Sequence, residues 1–226
     1  MGTTLTVTRD FRARLQRRSR RAGLSLEAAL TDRLSSYFEL LVRWNRKINL
    51  TSITQVDEAI DRLLIEPLLA ARHLPPGRPL CLLDIGSGGG SPAIPLTLAS
   101  PGTTLTMVES KVRKSAFLRE AVRHLALESA VVETTRYEEL LTRPELHEAT
   151  DVLSLRAVRT EPRVLMNLQA FLKPGGWFFL FTSASGTGSQ GAIPPPLTLQ
   201  ATYPLVEALR SRLIVIEKQL VGGRGR

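Results

Sequence analysis

The stretch Asp84-Ile-Gly-Ser-Gly-Gly-Gly90 lies between an apolar run, Leu80–Ile85, and a proline-led segment of helical composition, Pro92–Ala99. Glycine reaches backbone conformations that other residues avoid, and it puts no Cβ between the chain and a ligand. A buried strand that turns through such a loop straight into a helix belongs to a sheet joined by helical crossovers. That means an α/β fold, with a mostly parallel sheet covered on both faces. Such sheets bind ligands beyond the carboxyl ends of their strands.

The rest of the chain repeats the alternation. Strands are expected at Leu80–Ile85, Thr103–Glu109, Val131–Thr134, Asp151–Leu155 and Trp177–Thr182, with Thr198–Tyr203 and Arg212–Lys218 as a final pair, seven in all. Helices are expected at Val112–Leu127, Tyr137–Leu141 and Pro162–Leu172, the last closed by Lys173-Pro-Gly-Gly176. Ser183–Pro196 is rich in Gly, Ser, Thr and Pro and reads as a mobile loop. The residues before 77 are different: Leu26, Leu30, Leu34, Tyr37 or Phe38, and Leu41 recur at helical spacing from an N-cap at Ser25 to about Trp44. A second helix starts near Asp57, with Pro67 kinking or splitting it, and Pro75-Pro76-Gly77 ends this helical extension.

The net charge of +9 is uneven. Residues 1–21 carry seven arginines against Asp10, Arg224 and Arg226 close the chain, and the body between is nearly neutral. Basic ends suit a polyanion, most simply RNA, although a solvated tail that aids solubility has the same composition. No apolar run approaches the roughly 20 residues that a bilayer requires, and the Arg-rich start is not a secretory signal. A lone cysteine, Cys81, fits a reducing cytoplasmic setting; within a strand it reads as a small hydrophobe. His73, His124 and His147 lack metal-ligand spacing, so no metal is expected.

The glycine loop departs from the dinucleotide pattern. Gly86 and Gly88 match Gly-x-Gly-x-x-Gly, but Ser91 stands where the third glycine would fall, and Asp84 sits two residues before the first. That acid opposes a phosphate and suits an ammonium. S-adenosylmethionine has an ammonium and no phosphate, which favours it over a nicotinamide cofactor. Glu109 ends the second strand, where a carboxylate can accept the hydroxyls of a ribose.

Further segments resemble one family. Trp44-Asn-Arg-Lys-Ile-Asn-Leu-Thr51 is similar to the "W-N-x-x-x-N-L-T" signature of the glucose-inhibited division protein B family, whose members methylate N7 of a guanine in bacterial small-subunit (16S) ribosomal RNA. Asp84–Leu96 resembles its "D-V-G-S-G-A-G-F-P-G-I-P-L", Val108–Leu118 its "L-D-S-x-x-K-K-x-x-F-L", Arg136-Tyr-Glu138 its "R-A-E" and Ser154-Leu-Arg-Ala157 its "S-R-A". The likeness runs from about residue 24 to 182 and implies a Rossmann-like S-adenosylmethionine methyltransferase fold. It divides the chain into a flexible basic arm (1–22), a helical extension (23–76), the methyltransferase domain (77–222) and a basic tail (223–226).

The resemblance implies cofactor contacts at Gly86, Ser91, Tyr137, Glu138 and Arg156, alongside Asp84, Gly88, Gly90 and Glu109 from the loop and second strand. Tyr137 and Glu138 would flank the adenine. Arg156 would face the cofactor or the target base, acting by positioning, unless it merely pairs with Glu161. Ribosomal RNA or the small ribosomal subunit is the implied partner of a monomeric enzyme. Phosphate contacts would come from Arg12, Arg17, Arg18, Arg46, Lys47, Lys111, Arg113 and Lys114. Trp44 would stack on the target base or, more simply, pack the helices on the sheet.

This chain also departs from the family's pattern. Arg62-Leu63-Leu-Ile-Glu-Pro67 lacks the usual "R-H-x-x-x-S", Phe181-Thr-Ser-Ala-Ser-Gly186 lacks a Lys-Gly pair, and Ser91 replaces an aromatic residue or leucine. These departures leave open a methyltransferase of the same fold acting on another RNA or a small molecule. The basic ends alone would also suit a non-catalytic RNA-binding module.

Overall fold

A computed structural model describes residues 10–156, 161–183 and 193–220. The arm before Asp10, Ala157 of the family-like segment, most of the Ser183–Pro196 loop and the tail 223–226 lie outside the described residues.

Seven strands form one sheet: β1 (Cys81–Ile85), β2 (Thr104–Val108), β3 (Ala130–Glu133), β4 (Thr150–Arg156), β5 (Leu172–Ser183), β6 (Leu197–Pro204) and β7 (Ser211–Lys218). Their order is β3-β2-β1-β4-β5-β7-β6. The first five run parallel, and β7 runs antiparallel between β5 and β6. Both faces are covered, so the central strands read as nearly unbroken apolar runs. Alternate residues serve opposite cores: Leu82, Met107, Val152 and Phe179 face one cluster, while Leu83, Val108, Leu153 and Phe178 face the other. Winding proceeds from β1 to β2 and β3 on one side and to β4 and β5 on the other. The reversal between β1 and β4 opens a crevice at their carboxyl ends.

Helices α1 (Phe11–Arg21), α2 (Ala28–Asn45), α3 (Val56–Ile60), α4 (Glu66–Ala71), α5 (Ala93–Ala99) and α6 (Val112–His124) contribute to the first core; α7 (Tyr137–Leu140) and α8 (Pro162–Leu168) contribute to the second. The flexible-arm expectation is corrected over Phe11–Arg21. Phe11 and Leu15 are buried, Phe11 stacks on Phe38 at 4.4 Å between ring centroids, and the helix is held by apolar contact despite its arginines. The N-cap position of α2 is Glu27 rather than Ser25, because Leu24 turns inward and its N–H bonds the Ser19 carbonyl to finish α1, leaving Ser25 exposed. Lys173-Pro-Gly-Gly176 belongs to β5 and does not close a helix; a Cβ on Gly176 would stand 2.8 Å from the Lys173 carbonyl.

Pro67 perturbs its helix as expected. A π-helical turn, Asp61–Ile65, separates α3 from α4. Proline has no N–H for the carbonyl four residues earlier, which is that of Leu63. The Ser91 hydroxyl donates to that carbonyl at 2.9 Å.

Candidate active site

Asp84 is buried in β1 opposite Ser154 of β4, whose hydroxyl donates to Asp84 Oδ1 at 2.5 Å. Burial raises the Asp84 pKa, opposed by hydrogen bonds from Ser154 and Ser87 and by the charge of Arg156. The loop beyond it turns back over β2, as the Gly86 and Ser87 N–H groups both bond the Val108 carbonyl. Gly90 has φ +83°, a conformation that strains any other residue, and a Cβ there would lie 2.6 Å from Ile94 Cδ1, so the Ile94 side chain would have to shift.

Glu109 follows β2 and is 7% exposed. Its Oε2 accepts from the Gly88 N–H at 3.0 Å and its Oε1 from the Lys111 N–H at 2.8 Å. The acid therefore ties the glycine loop to the start of α6. Each oxygen keeps a further lone pair for a ligand hydroxyl.

The extension holds the loop from the other side. Tyr37, buried in α2, donates its hydroxyl to the Gly89 carbonyl at 2.5 Å. Burial raises its pKa, so the hydroxyl stays a donor. Asn45 Oδ1 accepts from the Leu50 and Thr51 N–H groups at 2.8 and 2.9 Å, closing the turn after α2. A Cβ on Gly89 would come within 3.5 Å of the Leu50 carbonyl. The Trp44–Thr51 signature thus builds a brace beside the glycine loop. Trp44 meets Phe117 edge-on at 5.9 Å and packs on the first core, which favours its packing role over base stacking.

Arg156 ends β4. Its partner is Glu66 of α4 and not the exposed Glu161: Nη1 donates to Glu66 Oε2 at 2.5 Å. Its guanidinium lies over Phe181, 4.7 Å from the ring centroid. Among the described residues, five buried side-chain polar atoms lack a partner, and four of them belong to this group: Asp84 Oδ2, Glu66 Oε1, Arg156 Nε and Arg156 Nη2. Such atoms cost roughly 1–3 kcal/mol each when left unmatched. Two acceptors on acids and two donors on one guanidinium complement an ammonium and a carboxylate, the two ends of an α-amino acid.

Tyr137 and Glu138 open α7 beyond β3, half-buried and exposed respectively. Burial and the Glu138 charge raise the Tyr137 pKa. Ser91 is spent on the Leu63 carbonyl, so its hydroxyl serves the fold. Two departures from the family-like pattern, Ser91 and the segment ending in Pro67, meet at that one hydrogen bond.

The basic candidates separate into two groups. Trp44 touches Phe117, and an Arg33 N–H reaches the Leu125 carbonyl, so α2 and α6 run antiparallel. Arg46 and Lys47 therefore share an end with Lys111, Arg113 and Lys114, and all but the half-buried Lys114 are exposed. This is the end that holds the strand carboxyl termini. Arg17 is exposed on α1, but Arg12 pairs with Asp32, roughly 20 Å along α2 from Arg46 at 1.5 Å per residue. Arg18 is corrected as a phosphate contact: it binds Asp61 and Asp57 and joins α1 to the second helical segment.

Sequence reading missed Tyr37, Glu66, Ser154 and Phe181. Two carried a usable signal: Glu66 is the one charge in the otherwise apolar Leu63–Ala71, and Ser154 interrupts the apolar Val152–Leu155. Tyr37 and Phe181 looked like ordinary core residues.

The family model described as rRNA small subunit methyltransferase G matches residues 30–187. A "Ribosomal RNA small subunit methyltransferase G" from Xanthomonas axonopodis pv. citri is 35% identical over 197 residues, covering 86% of this chain and 90% of that protein. One of the same name from Stenotrophomonas maltophilia is 40% identical over 157 residues, covering 69% and 70%. A SAM-dependent methyltransferase structure from Aquifex aeolicus superposes with a TM-score of 0.52 at 14% identity, covering 71% of this chain and 93% of that one, a likeness of fold.

Proposed function

The chain belongs to the rRNA small subunit methyltransferase G family, and from that premise we propose that it methylates N7 of a guanine in small-subunit (16S) ribosomal RNA. The observation that carries the reading is the unmatched polar group at the β1–β4 switch point. S-adenosylmethionine ends in an α-amino acid, and Asp84, Glu66 and Arg156 offer what that end requires.

S-adenosylmethionine supplies a methyl group already activated as a sulfonium. Guanine N7 would take that methyl with a free lone pair as the S–CH3 bond breaks and its electrons return to sulfur, leaving the neutral thioether, so no side chain need remove a proton. The work left to the protein is orientation and exclusion of water, where well-aligned pairs gain on the order of 7 kcal/mol or more. Asp84 would hold the ammonium, Arg156 the carboxylate, and Glu109 the ribose hydroxyls. Tyr137 and Glu138, beyond β3, would flank the adenine. Arg46, Lys47, Lys111, Arg113 and Lys114 meet RNA phosphates beside this mouth and fix the register of the strand. The target guanine is unstacked, as base-specific reading of RNA usually requires. The reading sets the enzyme in the cytoplasm, with the small ribosomal subunit, as a monomer. Among the described residues no helix is long and apolar enough to cross a membrane.

The test is incubation with methyl-labelled S-adenosylmethionine and small ribosomal subunits from a strain lacking this activity. Label in the small-subunit RNA is expected. Inert subunits with label in transfer RNA or a metabolite would show a different acceptor.

A further inference from the structure

Glu66 is a charged residue in an apolar setting. It is 1% exposed, within a helix whose neighbouring residues are apolar and buried. Burying a carboxylate costs several kcal/mol unless charge and hydrogen bonds compensate. Here one oxygen has the Arg156 guanidinium and the other has no partner among the described residues. An apolar residue would pack that helix without this cost.

The guanidinium is held on two sides. Glu66 takes Nη1 and Phe181 lies against a face. Nε and Nη2, both unpartnered among the described residues, form the remaining fork of a planar group whose donors are fixed relative to one another. Such a fork matches a carboxylate in two parallel hydrogen bonds. Glu66 and the free fork use different nitrogens, so the glutamate steadies the arginine without competing for its ligand.

We infer that Glu66 is a positioning residue for the donor: from the helical extension it orients Arg156 toward the carboxylate at the amino-acid end of S-adenosylmethionine. The inference rests on the methyltransferase reading above. It makes the extension, outside the strand–helix repeat, part of the cofactor site.

The probes are S-adenosylhomocysteine, which keeps the amino-acid end, and 5′-methylthioadenosine, which lacks it. Their binding to the full chain is measured by calorimetry for wild type, Glu66→Gln and Arg156→Lys, with thermal melting recorded in parallel. Glu66→Gln is expected to weaken S-adenosylhomocysteine about tenfold, the scale of one charge-assisted hydrogen bond, and to leave methylthioadenosine within about twofold. In the Arg156→Lys background the same change should have little further effect, because Glu66 acts through Arg156. Equal weakening of both probes, or full additivity with Arg156→Lys, would overturn the inference. If Glu66→Gln does not fold, Glu66→Asp is read instead. Its carboxylate, one methylene shorter, withdraws from Nη1 and should give the same selective loss. Wild type that binds neither probe would sink the methyltransferase reading itself, a different failure from loss of selectivity.

Discussion

Asp84 carries its proton more readily than an ordinary aspartate, because burial outweighs the help it receives from Ser154, Ser87 and Arg156. A ligand ammonium beside it favours the ionised form. Binding therefore lowers its pKa and releases a proton wherever the free protein still holds one. Affinity for S-adenosylhomocysteine should rise with pH through the raised pKa of Asp84 and fall on acidification. Asp84→Asn should flatten that profile and weaken binding roughly tenfold to hundredfold, the range of a hydrogen bond to a charged group; calorimetry across pH reads both. Asp84, Gly90 and Glu109 were legible because their chemistry is local: an acid, tight turns, and the end of a strand. Ser91 has a structural role that was not legible, because its partner is a carbonyl 28 residues away, freed by Pro67. No local pattern discloses that pairing.

The extension acts on the site as a set of elements. α2 contributes the Tyr37 hydroxyl that holds the Gly89 carbonyl, and the turn after it stands against the same glycine. Tyr37→Phe removes that hydroxyl without changing the ring. It should cost about 1 kcal/mol of stability and weaken S-adenosylhomocysteine several-fold, measured by melting and calorimetry on one preparation. Lys111 is the N-cap of α6, and Arg113 and Lys114 lie in its first turn. Replacing Lys111 and Arg113 by Gln should reduce affinity for small-subunit RNA and lower its salt dependence by about two phosphates' worth of slope, with cofactor binding unchanged. The helices of the extension were visible from apolar spacing. The π-helical turn was not, since it depends on Pro67 together with the outside donor Ser91. The basic arm misled because composition counts charges and does not show which of them, like Arg18, are already paired across helices.

Across the whole molecule, the two ends of the sheet carry different tasks. The carboxyl end gathers the site, while the other is fastened by Asp151, which is 2% exposed and bonds Arg78, Lys173 and the Cys81 N–H. Burial opposes its ionisation, but these three partners prevail and hold its pKa at about 2. A carboxyl held below its unfolded value stabilises the fold at higher pH and loses that contribution as pH falls through roughly 4 toward 2. Asp151→Asn should therefore lower the melting temperature at pH 7, much less near pH 2, and leave cofactor affinity alone. The seven-stranded, mostly parallel sheet was legible from alternating apolar runs and turns. The second core beneath it explains why those runs lacked a polar face. The position of Glu66 against Arg156 was not legible, because it joins residues 90 apart through packing of the extension on the switch point.

The central claim concerns the acceptor atom. Small ribosomal subunits from cells lacking this enzyme are incubated with the protein and S-adenosylmethionine, and their RNA is digested and examined by nucleoside mass spectrometry. The account predicts new 7-methylguanosine at a single position of the small-subunit RNA, formed more slowly by Asp84→Asn at limiting S-adenosylmethionine. Methyl transfer to another base, to a ribose, or to none would contradict it.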